Sequence, residues 1–340
     1  MKRVLLTGAS GFMGSHTLRH LILNTDWFIV CPTTFTHKGL QDRIRVALDD
    51  LPDAYKRVKI IRCDFTSPIS PITAREFGKI DYVINIASES HVDRSIEEPA
   101  EFIINNVSLI CHLLDWARIA QPEKFLQIST DEVYGPAPDG YAHKEWVDNH
   151  LPSNPYSASK SAQEDIAFSY WRTYGIPLAI TNTMNIIGET QDPEKYVPMT
   201  IKRVINGETV EIHGQPHTGR VGSRFYLHAR NQASGLLHVL GMDFPVYGTS
   251  GTEVPLRLHI VGEREVDNLE LAQLIAKSVG KTLNYEVVDF HSSRPGHDLR
   301  YALDGQKLAD TGYPNFQSRR NWILYYCSTI CKTHSCHGCN

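Results

Sequence analysis

The chain has 340 residues, 41% of them hydrophobic, and 34 Lys and Arg against 38 Asp and Glu leave a formal net charge of -4. Charges of both signs, interspersed, exclude a nucleic-acid or anionic-membrane binder that works through a basic face. The apolar run of the opening MKRVLL stops at Thr7-Gly8, short of the ~7–15 residues of a secretory leader, and no later run approaches the ~20 of a membrane span.

A soluble, cytoplasmic protein is expected. Among its seven cysteines, Cys31, Cys63 and Cys111 stand in apolar contexts and read as small buried hydrophobes. An odd count without a leader argues against a disulfide framework.

The first half alternates short β-branched runs with helix-length segments. RVLLTG (3–8), WFIVC (27–31), VKIIRC (58–63), YVINIA (82–87) and KFLQIS (124–129) are the strand candidates. Segments such as 14–24 and 99–120 carry apolar residues at three- and four-residue intervals. Near-continuous apolar strands separated by helices specify a parallel sheet covered on both faces, with ligands bound beyond the carboxyl ends of its strands. The expected fold class is α/β: a Rossmann-like doubly wound parallel sheet with a smaller α/β lobe.

TGASGFMGSH (7–16) follows the first strand and opens the first helix, with Gly8, Gly11 and Gly14 in a G-x-x-G-x-x-G spacing. Glycines there permit a tight turn, close backbone approach to a pyrophosphate and tight helix–strand packing, while the helix N-terminus faces the anion. A dinucleotide is expected. The second strand runs into IVCPTTFTHKG, which offers Thr33 where an acid would hold the adenosine ribose. No arginine stands beside Thr33, although Lys38 is near, and NAD is preferred over NADP. After the third strand, Asp64 and Phe65 are placed to hold adenine, a strand-end turn being the alternative for Asp64.

KFLQIS is followed at once by Thr130, Asp131 and Glu132. Two adjacent carboxylates at the mouth of a buried strand are costly to desolvate and repel each other. They are either a solvated strand end or an acid and a base for one reaction. Strict strand geometry would put them on opposite faces, so the strand must end or twist at about Asp131 for both to reach one substrate. Tyr134-Gly135-Pro136 just beyond is consistent with such a break. PYSASKSAQED (155–165) then sets Tyr156 and Lys160 four apart, on one face of a helix. A lysine ammonium and a cationic nicotinamide nearby would favour the tyrosine phenolate, turning a poor base at neutral pH into a usable one.

In that order along the chain, these motifs resemble the extended short-chain dehydrogenase/reductase family. Within it they are most similar to the nucleotide-sugar 4,6-dehydratases, those acting on dTDP-glucose first. The stretches that carry the resemblance are TGASGFMGSH, IASESHVDRSIEEP (86–99), STDEVYG, PYSASK, SRFYLHARN (223–231) and SRPGHDLRY (293–301), spanning residues 1 to 312 or so. The resemblance implies an NAD cofactor bound by Gly8, Gly11, Phe12, Met13, Gly14, Thr33, Asp64, Phe65, Ala87, Ser88, Tyr156 and Lys160. It implies a catalytic set of Thr130, Asp131, Glu132, Tyr156 and Lys160. In that set Glu132 is the base at C5 of the sugar and Asp131 the acid at C6, between oxidation at C4 and hydride return to C6. It implies a nucleotide-activated hexose held by Ser95, Asn185, Arg224, Asn231, Arg294 and His297, and a homodimer. HARN replaces the family's commoner acidic segment, and Ile186 follows Asn185 where a second asparagine is usual. The alternatives are an epimerase or decarboxylase on the same fold, and a non-catalytic sugar-nucleotide-binding protein. An epimerase needs no acid at C6, so the Asp131–Glu132 pair separates it from a dehydratase.

Helical segments 99–118 and 157–173 carry apolar residues on more than one face (Phe102, Ile103, Leu113, Trp116; Ile166, Phe168, Trp171). Such a pattern can bury one face on the sheet and another on a second copy. Beyond residue 180 or so, glycine and proline punctuate more often, and one helical pattern, 268–279, starts at Asn268 as its cap with Glu270 in the first turn. The expected division is an NAD-binding domain over 1–180, with parts of 225–260 returning to it, a sugar-nucleotide lobe over 181–316, and an atypical Cys-rich tail over 317–340. No Asp or Glu occurs from Thr311 to Asn340. Cys327, Cys331, Cys336 and Cys339, with His334 and His337, contain one C-x-x-C and no second knuckle, so no metal site is expected. A disordered tail, or one read in a shifted frame after Phe316, is the reading of this segment.

Overall fold

A computed structural model describes residues 1–35, 39–290 and 298–313. Lys38, Arg294, His297 and the cysteine-rich segment 317–340 therefore lie outside the described residues. In chain order the first half runs β1 (Arg3–Thr7), α1 (Phe12–Asn24), β2 (Phe28–Thr33), α2 (Gln41–Leu48), β3 (Val58–Arg62), α3 (Pro71–Phe77) and β4 (Tyr82–Asn85). It continues through α4 (Val92–Glu97), α5 (Pro99–Ala120), β5 (Lys124–Thr130), α6 (Pro155–Tyr174) and β6 (Leu178–Thr183). The rest comprises β7 (Ile186–Ile187), α7 (Tyr196–Asn206), β8 (Val210–Gln215), β9 (Arg220–Val221), β10 (Ser223–Phe225), β11 (Leu227–His228), α8 (Ala229–Leu240), β12 (Leu256–Ile260), β13 (Glu265–Asp267), α9 (Asn268–Ser278), β14 (Tyr285–Asp289) and α10 (Gln306–Ala309).

Seven strands form one parallel sheet in the order β12-β6-β5-β4-β1-β2-β3. β1, at the centre, is largely apolar on both faces because both faces are covered. Val4 and Leu6 of β1 join the cluster with α1 and α8, where Leu18 and Leu21 meet Leu236 and Val239. Leu5, between them, points to the opposite cluster, with Leu109 and Leu113 of α5 and Trp171 of α6. Each such side chain contributes ~1.5–3 kcal/mol by leaving water. β12 extends this sheet from far along the chain, pairing with β6 from Leu256↔Ala179 to Ile260↔Thr183. Strand order reverses between β1 and β4, which opens a crevice at the carboxyl ends of the strands.

A separate apolar cluster joins Val197 and Ile201 of α7, Val210 and Ile212 of β8, and Leu271 and Ile275 of α9. β8 lies between parallel β14 and antiparallel β9. The cap of α9 is Asp267, one residue before the expected Asn268: its carboxylate accepts the Glu270 amide at 2.7 Å. Asn268 is otherwise engaged, its Oδ1 accepting the Tyr226 hydroxyl at 2.8 Å.

Candidate active site

The chain leaves β1 through Gly8, at φ 70°. A Cβ on Gly8 would stand 2.9 Å from the Ala87 nitrogen, and one on Gly14 would stand 1.9 Å from the Gly8 carbonyl oxygen. The loop, the first helix and the segment after β4 therefore close together only around glycine. Thr7 Oγ1 accepts the amides of Ile86 at 3.1 Å and Ala87 at 3.0 Å, which fixes that segment beside the loop. α1 begins at Gly11 with no side-chain cap and no acid in its first turn, and Gly11, Phe12 and Met13 are partly exposed. An uncapped helix N-terminus at the crevice fits the pyrophosphate of NAD.

The adenosine end is less open than the sequence suggests. Thr33 is buried, and its hydroxyl shares a 2.7 Å hydrogen bond with Ser10. Asp64 Oδ1 accepts the Thr66 amide at 2.9 Å and the Thr66 hydroxyl at 2.7 Å, the local turn that was the alternative for this residue. Phe65 is buried in the α5 cluster, and its carbonyl accepts from His112 Nδ1 at 2.9 Å. The Ser88 hydroxyl donates to the Glu89 carbonyl at 3.2 Å.

β5 ends at Thr130, and Asp131–Tyr134 form a 3-10 turn. Successive side chains in such a turn are about 120° apart instead of opposed, because three residues complete it. Gly135 closes the turn at φ 74°, where a Cβ would meet the Leu151 carbonyl oxygen at 2.2 Å. Thr130 Oγ1 donates to Asp131 Oδ1 at 2.9 Å, accepts the Glu132 amide at 3.3 Å and hydrogen-bonds the Tyr156 hydroxyl. Asp131 is 3% exposed, and its Oδ2 has no partner among the described residues. Burial first, then the Glu132 charge, pushes the Asp131 carboxyl up to about 7. Burial also raises Glu132, opposed by the Asn154 amide at 3.4 Å and by the charges of Arg224 and Lys195. Both carboxyls are raised by burial, Asp131 with the Glu132 charge added and Glu132 with three influences against it, an asymmetry of the kind that can separate an acid from a base.

Helix α6 starts with a capping box between Asn154 and Ser157, with Pro155 in the first turn. Ser95 Oγ, fully buried, accepts the Tyr156 amide at 3.2 Å and donates to the Val92 carbonyl at 2.6 Å. Ser95 thereby braces the helix start with both of its hydrogen-bonding functions. Lys160 Nζ donates to the Ile128 carbonyl at 2.8 Å and to Gln163 Oε1 at 2.7 Å. Burial pushes this ammonium down to about 8, opposed by the Glu164 charge. Burial and the Glu132 and Asp131 charges raise the Tyr156 hydroxyl, while its hydrogen bond with Thr130 works the other way. In the protein alone the phenolate is disfavoured, so the expected activation depends on the nicotinamide cation.

On the other wall, Arg224 donates through Nη1 to the carbonyls of Ser223 (2.7 Å) and Leu299 (2.6 Å) and through Nη2 to that of Asp298 (2.6 Å). Its charge reaches both Asp131 and Glu132. Asn185 follows β6, its carbonyl accepting the Leu227 amide at 2.9 Å and its Oδ1 buried without a partner among the described residues. Asn231 sits in the first turn of α8, its carbonyl accepting the Tyr313 hydroxyl at 3.0 Å. The structure thus gathers Thr130, Asp131, Glu132, Tyr156 and Arg224 into one electrostatic unit, with Ser95 behind α6 and Asn231 on the helix that packs against α1.

Sequence reasoning missed Asn154 and Lys195. Asn154 precedes PYSASK at capping-box spacing from Ser157, a signal that was present. Lys195 precedes α7 without any motif; burial lowers it, and the Glu132 charge leads the opposing influences.

A glycine loop at the reversal point of a parallel sheet, beside a Tyr–Lys helix, defines a dinucleotide-dependent enzyme of the Rossmann class. The chain belongs to the NAD dependent epimerase/dehydratase family, whose model matches residues 4–247. It is 33% identical over 317 residues to the low-salt glycan biosynthesis protein Agl12 of Haloferax volcanii, covering 91% of this chain and 92% of that one. It is 32% identical over 332 residues to dTDP-glucose 4,6-dehydratase 1 of Escherichia coli K12, covering 90% and 86%. The dTDP-glucose 4,6-dehydratase DesIV of Streptomyces venezuelae, solved with NAD and TYD bound, matches with a TM-score of 0.82 at 29% identity over 98% of this chain and 97% of that one. Among the described residues, no helix is long and apolar enough to cross a membrane.

Proposed function

We propose that the protein is an NAD-dependent nucleotide-sugar 4,6-dehydratase, a hydro-lyase, with dTDP-glucose as the first substrate to test. The observation that carries this reading is the Asp131–Glu132 pair on its 3-10 turn, Asp131 buried and Glu132 half-buried, beside Tyr156. Thr130, Tyr156 and Lys160 would suffice for oxidation at C4, and an epimerase needs no more. Two desolvated carboxylates of unequal acidity serve an elimination, where one group takes a proton and the other gives one. The dehydratase names of two of the relatives support the same reading.

NAD, which the glycine loop of Gly8, Gly11 and Gly14 and the uncapped start of α1 would hold, would supply a reversible hydride acceptor for the oxidation at C4 and the reduction at C6. Tyr156 takes the C4 hydroxyl proton, with Thr130 orienting that hydroxyl and Lys160 supporting the phenolate. Glu132 removes the C5 proton, acidified by the adjacent ketone, and returns it to C5 as the hydride arrives at C6, which completes the 4-keto-6-deoxy sugar. Asp131, still protonated, gives its proton to the departing C6 hydroxyl, so water leaves. Acid and base assistance each contribute ~10²–10⁴-fold.

NAD is assigned to residues 1–180 with the returning part of 225–260, and the sugar nucleotide to the lobe of 181–316, where Asn185 and Arg224 face the reaction. A cytoplasmic homodimer is part of the proposal on the family resemblance alone, because Phe102, Leu113, Trp116 and Trp171, expected to offer a second apolar face, are buried within the chain and Ile166 and Phe168 pack against the same core. A monomer mass by light scattering at micromolar concentration would end that part. For the reaction, the protein is incubated with dTDP-glucose and NAD, and the alkali-induced absorbance of a 4-keto-6-deoxy sugar is read. UDP-, GDP- and CDP-glucose in parallel define the nucleotide. A C4 epimer with its C6 hydroxyl intact would reassign the protein to the epimerases, and binding without conversion to the non-catalytic binders.

A further inference from the structure

The turn that bears Asp131 and Glu132 rests on a buried ionic layer for which the proposed chemistry has no use. Glu164, one turn beyond Lys160 on α6, is fully buried. Its Oε1 accepts Asn182 Nδ2 at 2.7 Å, and its Oε2 pairs with the Arg257 guanidinium. Asn182 Nδ2 also donates to the Thr130 carbonyl at 3.1 Å, the residue where β5 passes into the turn. Arg257, on β12, lies 3.8 Å over the Trp146 ring and reaches the Tyr134 hydroxyl with Nη1 at 3.5 Å, at the last residue of the turn. The same hydroxyl donates to His259 Nε2 at 2.9 Å, while His259 Nδ1 donates to the Asp304 carbonyl at 3.0 Å. One carboxylate therefore holds the turn at both ends, through Asn182 at the start and Arg257 at the finish.

We propose that Glu164, Asn182 and Arg257 form a positioning device that fixes Asp131 and Glu132 against the sugar without touching it. What is positioned rests on the dehydratase reading; the tether itself does not. A buried ion pair is weak evidence for stability, because well-packed apolar residues commonly replace one at no loss. Its benefit is geometric, since a misplacement of 1 Å in a catalytic group costs ~10²-fold in rate. Burial favours the neutral acid at Glu164, yet the Arg257 charge and the His150 hydrogen bond hold it down to about 2, so the anchor stays charged at any working pH.

Two variants of the full chain test this. Asn182→Ala cuts the link at the start of the turn and leaves the ion pair; Glu164→Met with Arg257→Met removes both charges of the pair and also the Glu164 charge that supports Lys160, so for the double variant hydrogen exchange is the deciding readout and for Asn182→Ala the kinetics are. Amide hydrogen exchange read by mass spectrometry should accelerate ~10-fold or more in a peptide covering 128–135, with β1 and β4 unchanged, as local opening without global unfolding requires. On adding dTDP-glucose, reduced nicotinamide should accumulate while product formation falls ~10²-fold, because C4 oxidation outruns a misaligned elimination. Unchanged exchange at 128–135, or acceleration spread through β1 and β4, overturns the device, as does an equal loss of oxidation and elimination. If the unaltered protein fails to dehydrate any nucleotide sugar, the functional reading falls, and the exchange measurement still decides the tether. Should the double variant not fold, Asn182→Ala carries the test alone.

Discussion

Replacing Asp131 with asparagine should stabilise the protein while ending dehydration. The carboxyl is 3% exposed and raised from 3.8 to about 7, by burial first and the Glu132 charge second. A folded value above the unfolded one means that the native state binds this proton more tightly. The resulting stabilisation is complete below about 3.8 and is lost as pH rises through about 7. That gap spans about three pH units at 1.36 kcal/mol each, so ionising Asp131 in place costs the fold about 4 kcal/mol by pH 8. Asparagine has the shape of the protonated acid and cannot ionise, and its Oδ1 can still accept from Thr130, as Asp131 Oδ1 does. At ~2.1 cal/mol/K per residue, unfolding 340 residues carries about 0.7 kcal/mol/K. The variant should therefore melt about 6 °C higher than the unaltered protein at pH 8, and about 2 °C higher at pH 5. Calorimetry of both proteins at pH 5, 6.5 and 8, without substrate, makes the comparison. Equal midpoints at pH 8, or a difference that does not shrink toward pH 5, would refute the claim that the site holds a proton at the expense of the fold.

Glu132→Gln should slow dehydration by ~10²–10⁴ while leaving substrate affinity within a few fold, since the C5 proton moves only after C4 is oxidised; full turnover by this variant removes Glu132 as the base. Tyr156→Phe should block the first oxidation, so no reduced-nicotinamide absorbance builds up on adding substrate, and a transient of the usual size would exclude Tyr156. The rate of the unaltered enzyme should fall tenfold per unit above pH about 7, where Asp131 loses its proton. A profile flat to pH 9 would show that another group is the acid.

The strands β1, β2, β4 and β5 were legible because each is an apolar run buried along nearly all its length, β3, an edge strand with only Ile61 buried, because of its β-branched residues, and the Gly8–Gly11–Gly14 loop because its conformation admits little else. β6 was not. Its sequence LAITNT buries Thr181, Asn182 and Thr183, and polar residues in a strand defeat a reading that looks for hydrophobic runs. The break after Thr130 could be inferred from two adjacent carboxylates, but its cause is tertiary, since Gly135 is required by the Leu151 carbonyl. At Asp64-Phe65 a strand-end pair looks alike in the sequence whether it faces a ligand or not; in the structure Asp64 accepts the Thr66 amide and Phe65 packs in the core. The layer beneath the carboxylates was invisible for a plainer reason. Glu164 meets Asn182 across 18 residues and Arg257 across 93, and no local pattern encodes such a meeting.

The polar strand and the ionic layer explain each other. A parallel sheet of this kind can be filled with aliphatic side chains, as β1 is, and gains stability by it. β6 gives up that gain at Asn182, and β12 gives it up at Arg257 and His259, all three buried. These positions flank β5 from one side only: Asn182 pairs in register with Ser129 of β5 and with His259 of β12. The polar residues thus line up beneath the one strand end that carries a carboxylate pair. On the other side β4 reaches β5 through Asn85, whose amide donates to Gln127 Oε1 at 2.8 Å, below the turn and without an ionised group. Charge enters the sheet beneath the turn that carries Asp131 and Glu132, and a 3-10 turn with two hydrogen-bonded ends holds their spacing better than a free loop would.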